Sequence, residues 1–422
     1  MRPLPADFCI EARWVLPMSG AGEVLEHHAL MVRDGRILEI LPRLEAARRY
    51  APTTLVQRPT HALLPGFINV AARAATTSAQ IDLALDLPLE GEQLAQDGAL
   101  AAIAEMLRAG TTCYVERDAF PEAAARAAAD QGMRAVVGVP IGETQGAAAA
   151  GPGDVSRALA MFDTYHDHPL VSIAFAPAGA NALSDATFRR VAMLVDELDA
   201  RTVIDLHASR AELAESLRLH GVEPLERLDS LGLLTPSLNA VHLCHAQAAD
   251  IQRAERTGIA VSLCPLASIE AEERLPPVAS LAAARIRAGI GSAGAAHQPR
   301  DLWTNLKLVA AMLRTGAPET DARRALFMAT AGAAAVLGME AETGSLEPGK
   351  WADLCCVDLG GPSAQLHADP VARLVFRGSR DMVSDVWVAG RQLLSESVLT
   401  RLDWPSVAAR LAEHRRHPGS RE

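Results

Sequence analysis

Three histidines and one aspartate stand where they could move protons or grip a ligand. His207 ends the apolar run Val203-Ile204-Asp205-Leu206, and Asp205, two residues earlier, lies on the same strand face. His242 and His245 follow in Ala240-Val241-His242-Leu243-Cys244-His245. An imidazole serves as general acid or base, as a hydrogen-bond donor or as a metal ligand. Such groups at strand ends line pockets. Arg210 lies just beyond His207, and Arg73 ends the run Leu64-Pro65-Gly66-Phe67-Ile68-Asn69-Val70-Ala71-Ala72, which reads as a strand. The remaining chemistry is thin. Cysteines at 9, 113, 244, 264, 355 and 356 form no Cys-x-x-Cys pair, which argues against structural zinc and a disulfide frame. Cys244 and Cys264 read as small buried apolar groups, and His220 and His297 as structural or exposed.

These groups need a scaffold, and the pattern around them supplies one. Residues 8–60 alternate short β-type runs with turns, and Asp34-Gly35 between two alternating runs is a hairpin signal. A second β-rich region returns at 344–395. Between them, strand candidates at 111–115, 134–139, 171–176, 202–207, 240–244, 260–264 and 290–292 alternate with helical segments at 97–109, 122–131, 185–198 and 302–314. That alternation predicts an α/β fold with a parallel sheet, most simply a (β/α)8 barrel. Residues 142–154, rich in Gly and Ala, read as a loop. The expected organisation is residues 1–60 as the N-terminal part of a β-sandwich and 61–343 as the barrel. Residues 344–397 then form the C-terminal part of the sandwich, and 398–422 a helix and tail.

Composition narrows the function classes. Hydrophobic residues at 49% and charged residues at 22% suit a soluble globular protein, and aromatics at 4% imply a core of small aliphatic side chains. A net charge of -11 argues against nucleic-acid binding. No apolar run reaches the ~18 residues of a spanning helix, and the start shows no signal-peptide pattern, so a cytoplasmic protein without a membrane partner is expected.

Ordered motifs carry a resemblance. LLPGFIN at 63–69, RAGTT at 108–112, FAP at 175–177, EPLERLDSLGLL at 223–234, AVHLCH at 240–245, MATAGAAAVLG at 328–338, GSLEPGKWADL at 344–354 and VSDVWVAGR at 383–391 stand in sequence. Together they resemble the amidohydrolase superfamily, in its methylthioadenosine/S-adenosylhomocysteine deaminase and triazine-hydrolase branch, over nearly the whole chain. The resemblance implies a distorted (β/α)8 barrel plus a small β-sandwich formed by both chain ends.

It also implies a metal centre held by a His-x-His pair after strand one, a His after strand five and an Asp after strand eight. A Glu three residues past the strand-five His carries protons, and a His after strand six polarises substrate. Transferred to this chain, the paired histidines fall on Ala71 and Arg73, and the strand-eight Asp falls on Ala293. The Glu falls on Arg210, and a His after strand four falls on Ala178; His207 and His242 match. A zinc site takes three or four protein ligands, and only His207 is retained. The expectation is therefore a chain that has lost metal binding and deaminase activity and needs no cofactor. His242 is its catalytic candidate, in a pocket of Arg73, Asp205, His207, Arg210, His242 and His245. An Arg73–Asp205 pair, with Arg210 nearby, is expected to fill the vacated metal space.

The alternatives are an active hydrolase or deaminase of metal-independent or unusual-metal chemistry on a nucleoside- or triazine-like substrate, and a non-catalytic binding or regulatory partner. One divalent metal such as zinc returns if the ligand assignment is displaced. A purine-nucleoside-like ligand and a homodimer follow from the resemblance alone.

Overall fold

The computed structural model describes residues 3–20, 23–72, 92–117, 119–142, 155–293, 301–313, 317–361 and 369–416. Two compact units emerge, one of Met1–Ile68, Met106–Cys113 and Asp301–Arg401, the other of Asn69–Glu105, Tyr114–Arg300 and Leu402–Glu422.

The first unit carries a nine-stranded sheet built from both ends of the chain. Strands Leu4–Val15, Leu25–Glu26, His28–Arg33, Arg36–Pro42 and Tyr50–Pro65 come from the N-terminal side. Leu354–Asp358, Val383–Val388, Arg391–Ser395 and Val398–Leu399 come from the C-terminal side and join along His61–Pro65. Side chains alternate across a strand, so two apolar clusters form. Ile10, Leu30, Val32 and Trp387 belong to one, and Cys9, Ala29, Met31 and Leu41 to the other. The Asp34-Gly35 hairpin is present, with φ of 53° and 73°. Both central residues therefore occupy the left-handed region that a two-residue I′ turn requires.

Arg58 grips the fully buried Asp385 through two parallel bonds, Nε to Oδ2 at 2.6 Å and Nη2 to Oδ1 at 2.7 Å. Burial pushes the Asp385 carboxyl up, but the Arg58 and Ser384 hydrogen bonds outweigh it and hold it below the usual aspartate value. A depressed carboxyl stabilises the fold above its unfolded pKa, and that contribution disappears as pH falls through the folded one. Urea unfolding should therefore show Asp385→Asn well below the wild type near pH ~7, with the gap closing below about pH 4. A gap that stays constant with pH would contradict this.

The second unit holds most of an eight-stranded parallel sheet. Its strands are Phe67–Ala72, Thr111–Glu116, Arg134–Ile141, Val171–Pro177, Arg201–Leu206, Leu238–His242, Ala260–Leu263 and Ala288–Ile290, each hydrogen-bonded to the next. Helices occupy the connections. Asp185–Glu197 shows why: Ser184 caps it by accepting from Thr187 N, and Phe188, Val191 and Val195 repeat at helical spacing on the buried face.

Strands one and eight meet at their C-terminal ends. The amides of Ser292 and Ala293 both donate to Ala71 O, at 2.9 and 2.8 Å. Asn69 donates to Ser292 Oγ at 2.9 Å and accepts from Ser292 N at 3.1 Å. Asn239 and Ser262 both donate to Val70 O at 3.1 Å. These buried polar groups are mutually satisfied, so their hydrogen bonds offset the cost of burying them. The sheet is a nearly closed TIM-like barrel. Among the described residues, no helix is long and apolar enough to cross a membrane.

Candidate active site

The polar side chains gather at the C-terminal ends of the barrel strands, where loops of such barrels place their chemistry. Backbone strain gathers there too. His207, His242, Leu243 and Ala293 have φ of 47°, 81°, 52° and 53°, a region that non-glycine residues rarely adopt and that recurs at functional sites.

Three strands contribute one group each to a charged cluster. Arg117 directly follows strand two, and its Nη1 donates to Asp205 Oδ1 of strand five at 2.7 Å. His242, the last residue of strand six, brings Nε2 to 3.6 Å from the same oxygen. The Arg117 side chain is 6% exposed and Asp205 24%, so the ion pair is largely removed from water. A carboxylate that accepts a charge-assisted bond from arginine is fixed in place. It presents a fixed negative edge to the imidazole, an arrangement suited to proton transfer.

Glu212 lies close behind. Ser209 caps the helix Arg210–His220, and the Glu212 carboxylate accepts from the amides of His207 and Ala208 at 3.2 and 2.8 Å. Burial pushes Glu212 up to about 7, against the pull of those two amides.

His207 itself is fully buried. Its Nε2 accepts from Leu225 N at 3.3 Å, while Nδ1 has no hydrogen-bond partner and stands 3.8 Å from Asp250 Oδ2. Burial depresses the imidazole below its usual pKa, with Asp250 and Glu223 pulling the other way. Donor atoms of His207, Glu223 and Asp250 all lie within 4.8 Å of one another. One imidazole and two carboxylates are a donor set that zinc and related divalent ions accept. The buried Nδ1 faces the Asp250 carboxylate, so these residues fit a cation.

The remaining expected residues are dispersed. His245 pairs with Glu273 at 2.7 Å, and its amide donates to His207 O. Arg210 is exposed at the start of its helix, and Ala178 is exposed after strand four. Arg73 and His297 lie outside the described residues. Asp205 accepts from Arg117, and the expected Arg73–Asp205 pair involves a residue outside the described ones. The six cysteines are free and buried, and burial pushes the thiols of Cys244 and Cys264 up.

The barrel, the end-built sheet and this site define a class, and the comparisons with known proteins agree on it. The Amidohydrolase family matches residues 62–393, and the chain belongs to that family. A 5-methylthioadenosine/S-adenosylhomocysteine deaminase from Teredinibacter turnerae is 34% identical, with 98% of each chain covered. The crystal structure of an adenosine deaminase from Xanthomonas campestris with bound zinc superposes with a TM-score of 0.92 at 33% identity, covering 98% of this chain and 99% of that one. An atrazine chlorohydrolase from Arthrobacter aurescens, complexed with zinc, shares the fold with a TM-score of 0.85 at 20% identity, over 97% of this chain and 100% of that one.

These findings correct two expectations. Lost metal binding and lost deaminase activity do not stand against full-length relatives named as deaminases and a zinc-bearing structural match. Nor does the expectation of no cofactor: zinc in the adenosine deaminase structure and the His207, Glu223 and Asp250 cluster point to a divalent metal. The reason is physical. Transfer of ligands position by position considered strand ends alone. Glu223 and Asp250 come from the segments after strands five and six, and only the fold brings them to His207. Arg117, Glu212, Glu223 and Asp250 were the residues missed. The available signals were the place of Arg117 one residue beyond a strand and the spacing of Gln247 and Asp250 around a helix start.

Proposed function

We propose that this chain is a metal-assisted hydrolase of a carbon–nitrogen bond, a deaminase acting on a nucleoside-like substrate of the methylthioadenosine, S-adenosylhomocysteine or adenosine type. The observation that carries the reading is the convergence of Arg117, Asp205 and His242 at the barrel's C-terminal face. The names of the full-length relatives supply the substrate class.

Deamination adds water across the bond. A carbon–oxygen bond forms, the carbon–nitrogen bond breaks, and the leaving NH2 group takes one proton from the incoming water to depart as ammonia. His242 is the group placed to carry that proton or to polarise the ring being attacked. Asp205 orients His242, and Arg117 fixes Asp205. A divalent ion bound by His207, Glu223 and Asp250 would supply positive charge that makes water more acidic. Cys244 and Cys264 take no part, since buried protonated thiols are poor nucleophiles.

The test is ammonia release by the purified, zinc-supplied protein with each nucleoside, and chloride release with a chlorotriazine. Release from a nucleoside is the expected result. Chloride release from the triazine with no ammonia from any nucleoside would replace the substrate class, and release from none would overturn the reading.

A further inference from the structure

The end of strand five is tied unevenly. On the strand-six side the ladder is complete, with Asp205 opposite Val241 and Leu206 opposite His242. Leu243 N then donates to Leu206 O, and His245 N to His207 O, both at 3.0 Å. On the strand-four side the paired residues stop at Arg201 and Thr202, opposite Ala174 and Phe175. The stretch that carries Asp205 has therefore left strand four before it reaches the site. At His207 the backbone enters the left-handed region, with φ of 47°. A residue other than glycine keeps that conformation only where its surroundings hold it.

Glu212 supplies what the ladder lacks. Its Oε1 accepts from His207 N at 3.2 Å and its Oε2 from Ala208 N at 2.8 Å. Its own amide donates to Ser209 Oγ at 3.1 Å, in the first turn of the helix Arg210–His220. Its carbonyl accepts from Asn181 Nδ2, in the segment after strand four, at 3.1 Å. One residue thus joins the ends of strands four and five beyond the point where their ladder stops.

We infer that Glu212 is a positioning residue of this site: by accepting both amides of the turn, its carboxylate sets the end of strand five and, with it, the aim of Asp205 at His242. This rests on the reading that Asp205 and His242 serve proton transfer. Three observations carry it. Asp205 lies two residues before His207 on a strand that is paired there on one side, so a shift of the turn is passed along the backbone to the Asp205 side chain. Asp205 Oδ1 stands 3.6 Å from His242 Nε2, just beyond hydrogen-bond reach, so a displacement of a few tenths of an ångström decides whether that contact forms. And two successive amides aimed at one side chain require two acceptor oxygens, which a carboxylate offers and a carboxamide does not.

The experiment compares zinc-supplied wild type with Glu212→Gln, Glu212→Ala and Ser209→Ala. It reads kcat and KM per folded molecule for ammonia release from methylthioadenosine, the melting temperature, and the His242 ring signal by NMR. The expected result is a kcat lower by about tenfold in Glu212→Gln and about a hundredfold in Glu212→Ala, with KM within about twofold of wild type. The His242 signal shifts in both. Ser209→Ala removes the cap of the same helix, so its melting temperature falls while kcat and KM hold. Circular dichroism checks folding; if Glu212→Ala does not fold, the nearly isosteric Glu212→Gln decides. A folded Glu212→Gln with the wild-type kcat overturns the proposal, and so does an equal loss of kcat in Ser209→Ala. The NMR readout needs no turnover. A wild type that releases no ammonia contradicts the deaminase reading, and the His242 signal then decides this one: shifted in Glu212→Gln it stands, unmoved it falls.

Discussion

Asp205→Ala is expected to abolish ammonia release and to destabilise the protein by about 3 kcal/mol. The substitution removes the carboxylate that accepts from the Arg117 guanidinium, whose side chain is 6% exposed. Breaking a buried pair by deleting one partner costs roughly 3–5 kcal/mol, because the other charge is left without compensation. The lower end applies here, since Asp205 keeps part of its surface in water. Adding Arg117→Met should recover much of the stability, since the stranded charge goes too, but none of the activity, since His242 still lacks its carboxylate. Urea unfolding of the two single variants and the double variant measures the coupling. A coupling below about 0.5 kcal/mol would show that the pair is solvated and does not hold the site.

Gly291→Ala should be nearly as severe, by about 2–3 kcal/mol of overpacking. The added carbon would lie 2.8 Å from Ala71 Cβ, 2.9 Å from Cys264 Sγ and 3.0 Å from Ala71 N. The last is backbone and cannot swing aside. The same residue, Ala71, accepts the two amides that bring strand eight against strand one, so relief of the clash would come at the expense of those bonds. Gly361→Ala is the control, with nothing within 4 Å of the new carbon. If both variants melt together with the wild type, the contact between strands one and eight is looser than described.

Much of this fold was legible in the sequence. The alternation of apolar runs and helical segments gave the parallel sheet, and the helix expected at 185–198 is observed at Asp185–Glu197. Two elements escaped. Tyr50–Pro65 forms one 16-residue strand although Pro52 and Pro59 interrupt its pattern. Along most of that stretch it pairs on one side only, with Leu4–Val15, so missing amide donors can be tolerated. The last barrel strand ends at Ile290, earlier than expected, because the amides of Ser292 and Ala293 leave the ladder for a single acceptor on Ala71.

The site was legible in part, and the boundary is instructive. Asp205 and His242 were visible because they end strands, where alternation fixes the facing. Arg117 was not, since its reach to strand five depends on a long side chain and on the curvature of the ring. Glu223 leads into one helix and Asp250 lies in the first turn of another, where it accepts from Gln247 N at 2.8 Å. Nothing local in either segment distinguishes a cap from a cap that also faces a buried imidazole. That distinction separates an expected loss of metal from a cluster able to hold one.

The most direct test of the account is the rate of ammonia release from methylthioadenosine by zinc-loaded wild type beside zinc-loaded Asp205→Asn. Loss of an oriented proton-transfer group lowers rates by about 10²–10⁴-fold, so the wild type should turn over and the variant should fall by at least about a hundredfold. A folded, zinc-occupied wild type that releases ammonia no faster than Asp205→Asn would contradict it.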